Sequence, residues 1–147
     1  MLPHVNDASA AVGSDQLDRY IDAWLLHGHA GSPDGAAALE RLLALVTANV
    51  RFEDVATGIV LEGRDGIAEL CTGAYEMAHD LSLTLVSRQT DGRHFAFEYV
   101  GTGSMAPTGR PVKFRTVAVG SFSSDGLVES HRGYWDRSAF LALNETP

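Results

Sequence analysis

The stretch ANVRFEDVATG, residues 48–58, alternates like a β-strand and carries a carboxylate on the side that such a strand buries. If Arg51 and Glu53 face water, then Val50, Phe52 and Asp54 share the opposite face, because successive side chains of a strand point to opposite sides. An ionised carboxylate is costly to bury unless it is hydrogen-bonded or its proton affinity shifts. Two readings follow for Asp54. It opens the turn DVATG, as aspartate often does where a strand ends, or it is a general base set in an apolar pocket.

Upstream, residues 1–13 are small and polar without periodicity, which predicts a flexible N-terminal tail ahead of a single domain over 14–147. Ser14 is placed to cap a helix, SDQLDRYIDAWLLHGHAG, in which Leu17, Tyr20, Ile21, Trp24 and Leu25 share one face and which Gly28 and Gly31 end. Ser32 and Pro33 read as cap and first-turn proline of a second helix with the stripe Leu39, Leu42, Leu43 and Val46. Past the opening strand, TGIVLEG reads as a loop. A third helix, RDGIAELCTGAYEMAHD, repeats its apolar spacing through Ile67, Leu70, Cys71, Ala74 and Ala78.

From Leu81 the period becomes two, in LSLTLVSRQT, HFAFEYVGTG, RPVKFRTVAVGSF and LVESHRGYWD, with turns at 91–93, 106–111 and 123–126. This pattern predicts an antiparallel meander. In the third of these strands Phe114, Ala118 and Phe122 lie on one face and Val117 and Val119 on the other, as in a strand covered on both sides. Helices of the same chain cover one face, and a second copy of the protein is the expected cover for the other. The fold class is α+β: three N-terminal helices packed on a curved, mostly antiparallel sheet in a cone-shaped barrel.

Composition sets the boundaries. A chain of 147 residues, 45% hydrophobic, suits one domain that can enclose a ligand cavity. A net charge of −8 offers no basic stripe, so neither nucleic acid nor a membrane is an expected partner. Cys71 is the single cysteine, which excludes an internal disulfide. No apolar run is long enough for a membrane span, and MLPHVNDASAAVG lacks the charged start and apolar centre of a secretory signal. The expected setting is cytoplasmic.

Several residues are candidates for chemistry. Tyr20 is either a core tyrosine whose hydroxyl reaches the surface or a phenolic donor into a pocket. His131 shares parity with Leu127, Glu129, Gly133 and Trp135, and is either a hydrogen-bonded core histidine or a second titratable group beside Asp54. GTGSMA at 101–106 imitates a dinucleotide fingerprint, but Pro107 and a strand follow where that motif requires a helix. His27 and His29 stand two apart on a helix and diverge, so no metal is expected there. Cys71 lies on an apolar stripe and reads as packing. No cofactor is expected.

RYIDAW, VRFEDVATGIVLEGRDGIAE, PTGRPV and the closing DGLVESHRGYWD, in this order and spacing, resemble the nuclear transport factor 2-like superfamily, over Leu17 to Leu141. Within it the ketosteroid isomerase-like and SnoaL-like polyketide cyclase branches are closest in pattern. The resemblance implies helices closing one side of a curved sheet around a conical pocket, and a homodimer formed through the sheet. It places the proton-shuttling aspartate on Asp54 and the oxyanion tyrosine on Tyr20. The position matched to the isomerase's second acid is Ala118, which cannot donate a proton, so His131 is the expected replacement. The triad of limonene epoxide hydrolase would fall near Gly101, Tyr99 and Gly133, which excludes that chemistry.

The expectation is a cofactor-independent isomerase or cyclase acting on a hydrophobic, carbonyl-containing small molecule. Asp54, Tyr20 and His131 would be catalytic, and Trp24, Phe52, Tyr75, Tyr99, Phe114 and Trp135 would bind substrate, with Tyr75 bonding Tyr20. The alternative is a noncatalytic binding or assembly module of the same fold.

Overall fold

The computed structural model of the protein describes residues 7–138, with side chains from residue 14 onward. Its elements, in chain order, are α1 (Asp7–Trp24), α2 (His27–Ala30), α3 (Ala36–Leu43), β1 (Val46–Asp54), β2 (Ile59–Glu62), α4 (Gly63–Met77), β3 (Ser82–Thr90), β4 (His94–Ser104), β5 (Pro111–Phe122) and β6 (Val128–Trp135). None of the helices is long and apolar enough to cross a membrane.

The apolar stripe read from the sequence is the buried face of α1, where Leu17, Tyr20, Ile21 and Trp24 are all sealed from solvent. The boundaries differ. Helix α1 begins at Asp7 rather than at Ser14, because Ala8, Ala10 and Ala11 carry helix propensity without an apolar stripe to signal it. The expected tail is thus helical from residue 7, and residues 1–6 lie outside the described residues. The helix also ends earlier than expected: it closes with an i to i+3 bond from Leu26 N–H to the Ala23 carbonyl, and α2 follows as a separate turn. At the end of α2, Gly31 presses so close to the backbone of Cys71 on α4 that no Cβ fits. Ser32 and Pro33 belong to the turn before α3, whose N-cap is Gly35, and Val46 opens β1 instead of closing a helix. Among the described residues four helices stand where three were expected.

The segment read as a loop, TGIVLEG, contains β2, paired antiparallel with β1 from Asp54↔Ile59 to Arg51↔Glu62. Four residues are too few to show a period. The glycines that bracket the strand, Gly58 and Gly63, adopt φ of +76°, a turn conformation that other residues avoid.

The strands form one mixed sheet in the order β2-β1-β6-β5-β4-β3. The meander β3 to β6 is antiparallel as expected, and β1 joins it in parallel alongside β6. With β2 and β3 left as edges, the curved sheet stays open, and the architecture is the expected α+β cone. One device for its curvature is visible at two cross-strand pairs. Phe114 opposite Gly101, and Phe95 opposite Gly120, lay their rings over the glycine where a Cβ would otherwise sit.

Burial alternates as read on β1, β4 and β5, whereas on β6 a register shift at Glu129 puts Val128, in place of Leu127 and Glu129, on the buried face with His131. Val50 and Phe52 on β1, Phe95, Phe97 and Tyr99 on β4, Thr116, Ala118 and Phe122 on β5, and Val128 and His131 on β6 point inward to the helices. Val117 on β5 and its cross-strand neighbour Tyr134 on β6 stay exposed on the outer face. Cys71 packs in the core, where burial pushes its thiol up to about 12.

Candidate functional site

Between α1, α2, α4 and the inner face of the sheet lies a cavity of about 480 Å³, large enough for a multi-ring small molecule. Trp24, Phe52, Tyr99, Phe114 and Trp135 line it as expected. From α4 come Glu69, Leu70, Gly73, Ala74 and Met77, one helical face that leaves Tyr75 pointing elsewhere. Tyr75 stacks on His79 with ring centroids 4.4 Å apart, so neither its expected place in the lining nor its bond to Tyr20 is found.

Asp54 is the last residue of β1 and stands both at the turn and at the cavity. Its Oδ1 accepts the Ala56 N–H at 3.1 Å and so opens the turn. The same side chain lines the cavity, half-buried, and Oδ1 also accepts the Trp135 indole N–H at 2.8 Å. The two bonds fall on one oxygen, Oδ1. The neighbour of Asp54 on β6 is Gly133, whose missing side chain keeps the space over the carboxylate open.

His131 sits two residues back along the same strand pair, opposite Phe52. Its residue is 1% exposed, and it forms the floor of the cavity among Tyr20, Trp24, Phe52, Phe95 and Phe97. Nδ1 meets the Tyr20 hydroxyl at 2.7 Å, whereas Nε2 is buried without a partner among the described residues. A phenol has one proton to place. Giving it to Nδ1 would put the imidazole proton on the buried Nε2. Burial, with smaller contributions from His27 and Arg132, lowers the His131 pKa to about 3, and the ring is therefore neutral at physiological pH.

Tyr20 lies beneath the cavity rather than on its wall, 1% exposed, with burial pushing its phenol well above the ordinary range. This position sets it behind His131, whose Nδ1 its hydroxyl meets, and not among the residues that line the cavity where a direct oxyanion donor was expected. The phenol in the cavity wall is that of Tyr99, which accepts the Trp24 indole N–H at 3.1 Å and hydrogen-bonds Thr116. Burial raises the Tyr99 pKa, the bonds from Trp24 and Thr116 pull it back, and the Asp54 carboxylate raises it again.

His27 escaped the sequence analysis, which weighed it only as a metal ligand. It lines the cavity, buried, with its ring stacked on Trp24 at 4.5 Å and Nδ1 at 2.8 Å from the Trp24 carbonyl. Burial lowers its pKa to about 4. The signal was present: positions 20, 24 and 27 share one helical face. Among the described residues no group of three or more His, Cys, Asp or Glu side chains is placed to hold a metal ion. The whole arrangement offers an apolar, aromatic hollow with two carboxylates, Asp54 and Glu69, and a few fixed polar atoms.

The SnoaL-like domain family matches residues 17–131 of the chain. Among solved structures, a candidate SnoaL-like polyketide cyclase from Jannaschia sp. CCS1 is similar at 16% identity and a TM-score of 0.73, with 94% of this chain and 95% of that chain covered. A protein of ketosteroid isomerase-like fold from Catenulispora acidiphila, solved with trimethylamine, is similar at 20% identity and a TM-score of 0.70, covering 87% of this chain and 97% of that one. SalBIII, an epoxide hydrolase/cyclase-like enzyme of pyran ring formation in salinomycin, is similar at 17% identity and a TM-score of 0.68, covering 85% and 93%. At these identities the likeness is one of fold. No curated protein matches the chain.

Proposed function

Because the chain belongs to the SnoaL-like domain family, we propose that it is a cofactor-independent proton-transfer enzyme, an isomerase or cyclase of a largely apolar, carbonyl-containing ring compound. Polyketide-derived and steroid-like rings are the substrate class. One observation carries this reading: Asp54 and His131 line the same aromatic cavity, and His131 Nε2 is buried there without a partner among the described residues.

In the proposed reaction Asp54 takes a proton from the carbon next to the substrate carbonyl. The C–H electron pair moves into the ring system and leaves an enolate, whose oxygen receives a hydrogen bond from His131 Nε2–H. Isomerisation ends when Asp54 returns the proton to a different carbon. In cyclisation the enolate carbon attacks a second carbonyl, and the new alkoxide takes the proton back. A donor aimed at a developing oxyanion is worth roughly 3 kcal/mol of barrier, and it is available here without Tyr20 touching substrate. A neutral imidazole suits the role, since it donates without first having to lose a charge.

The test is turnover of a β,γ-unsaturated cyclohexenone, read by the absorbance of its conjugated product. Asp54→Asn should cut the rate about a hundredfold or more, the scale on which a positioned general base contributes. Equal rates in the variant and the wild type overturn the assignment. The rival reading, a noncatalytic binding module, draws on Ala118, which leaves the strand without the second acid of the isomerases.

The chain is further proposed to pair with a second copy through the outer face of the sheet, where Val117 and Tyr134 are 37% and 42% exposed side by side. Light scattering of Val117→Glu should then give half the mass of the wild type. Identical masses would remove this proposal.

A further inference from the structure

The proposed reaction leaves the buried imidazole of His27 unused, and its hydrogen-bonding polarity is fixed by the backbone. A carbonyl oxygen only accepts, so the bond between His27 Nδ1 and the Trp24 carbonyl places the imidazole proton on Nδ1. The remaining ring nitrogen, Nε2, then carries a lone pair. In the proposed reaction His131 is wired in the opposite sense, with Nδ1 receiving the Tyr20 proton and the buried Nε2 carrying a hydrogen. Both rings rest on Trp24, at centroid distances of 4.5 Å and 4.2 Å, and both line the cavity. The hollow therefore holds two imidazoles of opposite polarity, an acceptor on α2 and a donor on β6, joined by one indole.

A simple apolar ketone satisfies only the donor. It would leave the His27 lone pair facing hydrocarbon in a site that has displaced its water, and an unpaired buried polar atom costs affinity. We propose that His27 is a substrate-recognising residue, and that the cavity takes ring compounds bearing a hydroxyl for His27 Nε2 as well as a carbonyl for His131 Nε2. This substrate class rests on the reading of the cavity as a site for carbonyl compounds. Burial supports it, since both rings stay neutral near pH 7, with pKa values lowered to about 4 at His27 and about 3 at His131. A neutral pair keeps one acceptor and one donor, whereas a protonated pair would hold donors only.

The experiment is equilibrium binding of α-tetralone and its ring-hydroxylated isomers, followed by quenching of tryptophan fluorescence. At least one hydroxylated isomer should bind the wild type about tenfold more tightly than α-tetralone, the scale of one well-made hydrogen bond. His27→Phe keeps an aromatic ring against Trp24 and removes the acceptor. It should abolish that preference, with α-tetralone bound at least as tightly as by wild type. No preference in the wild type, or an equal loss for both ligands in the variant, overturns the proposal. A second measurement needs no substitution: nitrogen chemical shifts of the histidine rings in the wild-type protein. They should report an unprotonated Nε2 at His27 and a protonated Nε2 at His131, and any other pattern contradicts the assignment. Binding does not require turnover, so the two readings separate. Intact hydroxyl preference in an Asp54→Asn protein whose parent shows no catalysis would sink the reaction and leave the recognition standing.

Discussion

His131 and Asp54 lie two residues apart in register on the same parallel strand pair, one opposite Phe52 and the other ending β1 beside Gly133, and their surroundings differ completely. The His131 ring is enclosed by aromatic side chains and tied from behind by Tyr20. Asp54 is half-buried at the strand end, held by an indole N–H and a turn N–H. A step of two residues, about 7 Å along a strand, thus leads from the sealed floor to the rim. The floor suits a fixed dipole that must not reorganise. The rim suits a group that must gain and lose a proton, because its charged form keeps strong hydrogen-bond donors. The chemistry proposed for the site is this gradient of burial along β1 and β6.

If the floor is a fixed dipole, removing it should cost both rate and stability. His131→Phe fills the space, takes away the donor and leaves the Tyr20 hydroxyl buried without its partner. The expected result is a fall in kcat of about a hundredfold and a loss of roughly 1–3 kcal/mol in urea denaturation. An unchanged kcat would make the floor structural only. A smaller effect is expected from Tyr20→Phe, which leaves the donor in place and removes what orients it. Here kcat should drop by about tenfold or less, with KM near wild type and stability lower by about 1 kcal/mol. A fall in kcat as large as that of His131→Phe would mean that the phenol itself meets the substrate.

The smallest effect is one of pH and arises from the same contrast. In the unfolded chain an imidazole protonates near its ordinary value of 6.5, whereas folded His131 and His27 stay neutral down to about 3 and about 4. Below that ordinary value the unfolded state therefore binds more protons, and stability falls with pH through the window from 6.5 toward 4. Each buried imidazole should contribute a slope of up to about 1 kcal/mol per pH unit, measurable as a lower urea midpoint at mildly acidic pH, above the range in which ordinary carboxylates titrate. His131→Phe should flatten the slope. A slope unchanged by that substitution would place the sensitivity elsewhere.

Much of this contrast was legible in the sequence, and the omissions share a cause. Strand parity put Val50, Phe52 and Asp54 on one face, and His131 with Gly133 and Trp135 on another, and both faces line the cavity. Helical periodicity gave the buried side of α1 but not its start at Asp7, since alanines extend a helix without marking a face. Strand β2 is too short to reveal a period, and the opening of the sheet depends on which edges fail to meet, a property of no single segment. Within the site, residue types were found more readily than roles. Tyr20 and Tyr99 are both tyrosines on apolar faces, and only the depth of α1 against the sheet decides that Tyr99 meets the cavity while Tyr20 supports His131 from below. Tyr75 was misplaced by one position on α4, about 100° of helical rotation, enough to turn it onto His79. His27 was passed over because it was weighed against His29 rather than against Trp24, three residues before it on the same face.

The most direct measurement is exchange of the α-protons of bound α-tetralone in heavy water, followed by proton NMR, because it detects proton abstraction without the natural substrate. The account predicts catalysed loss of the α-proton signal with wild-type protein, and exchange at the rate of protein-free solution with Asp54→Asn. Exchange at equal rates with both proteins, or none above the solution rate with either while binding is intact, would contradict it.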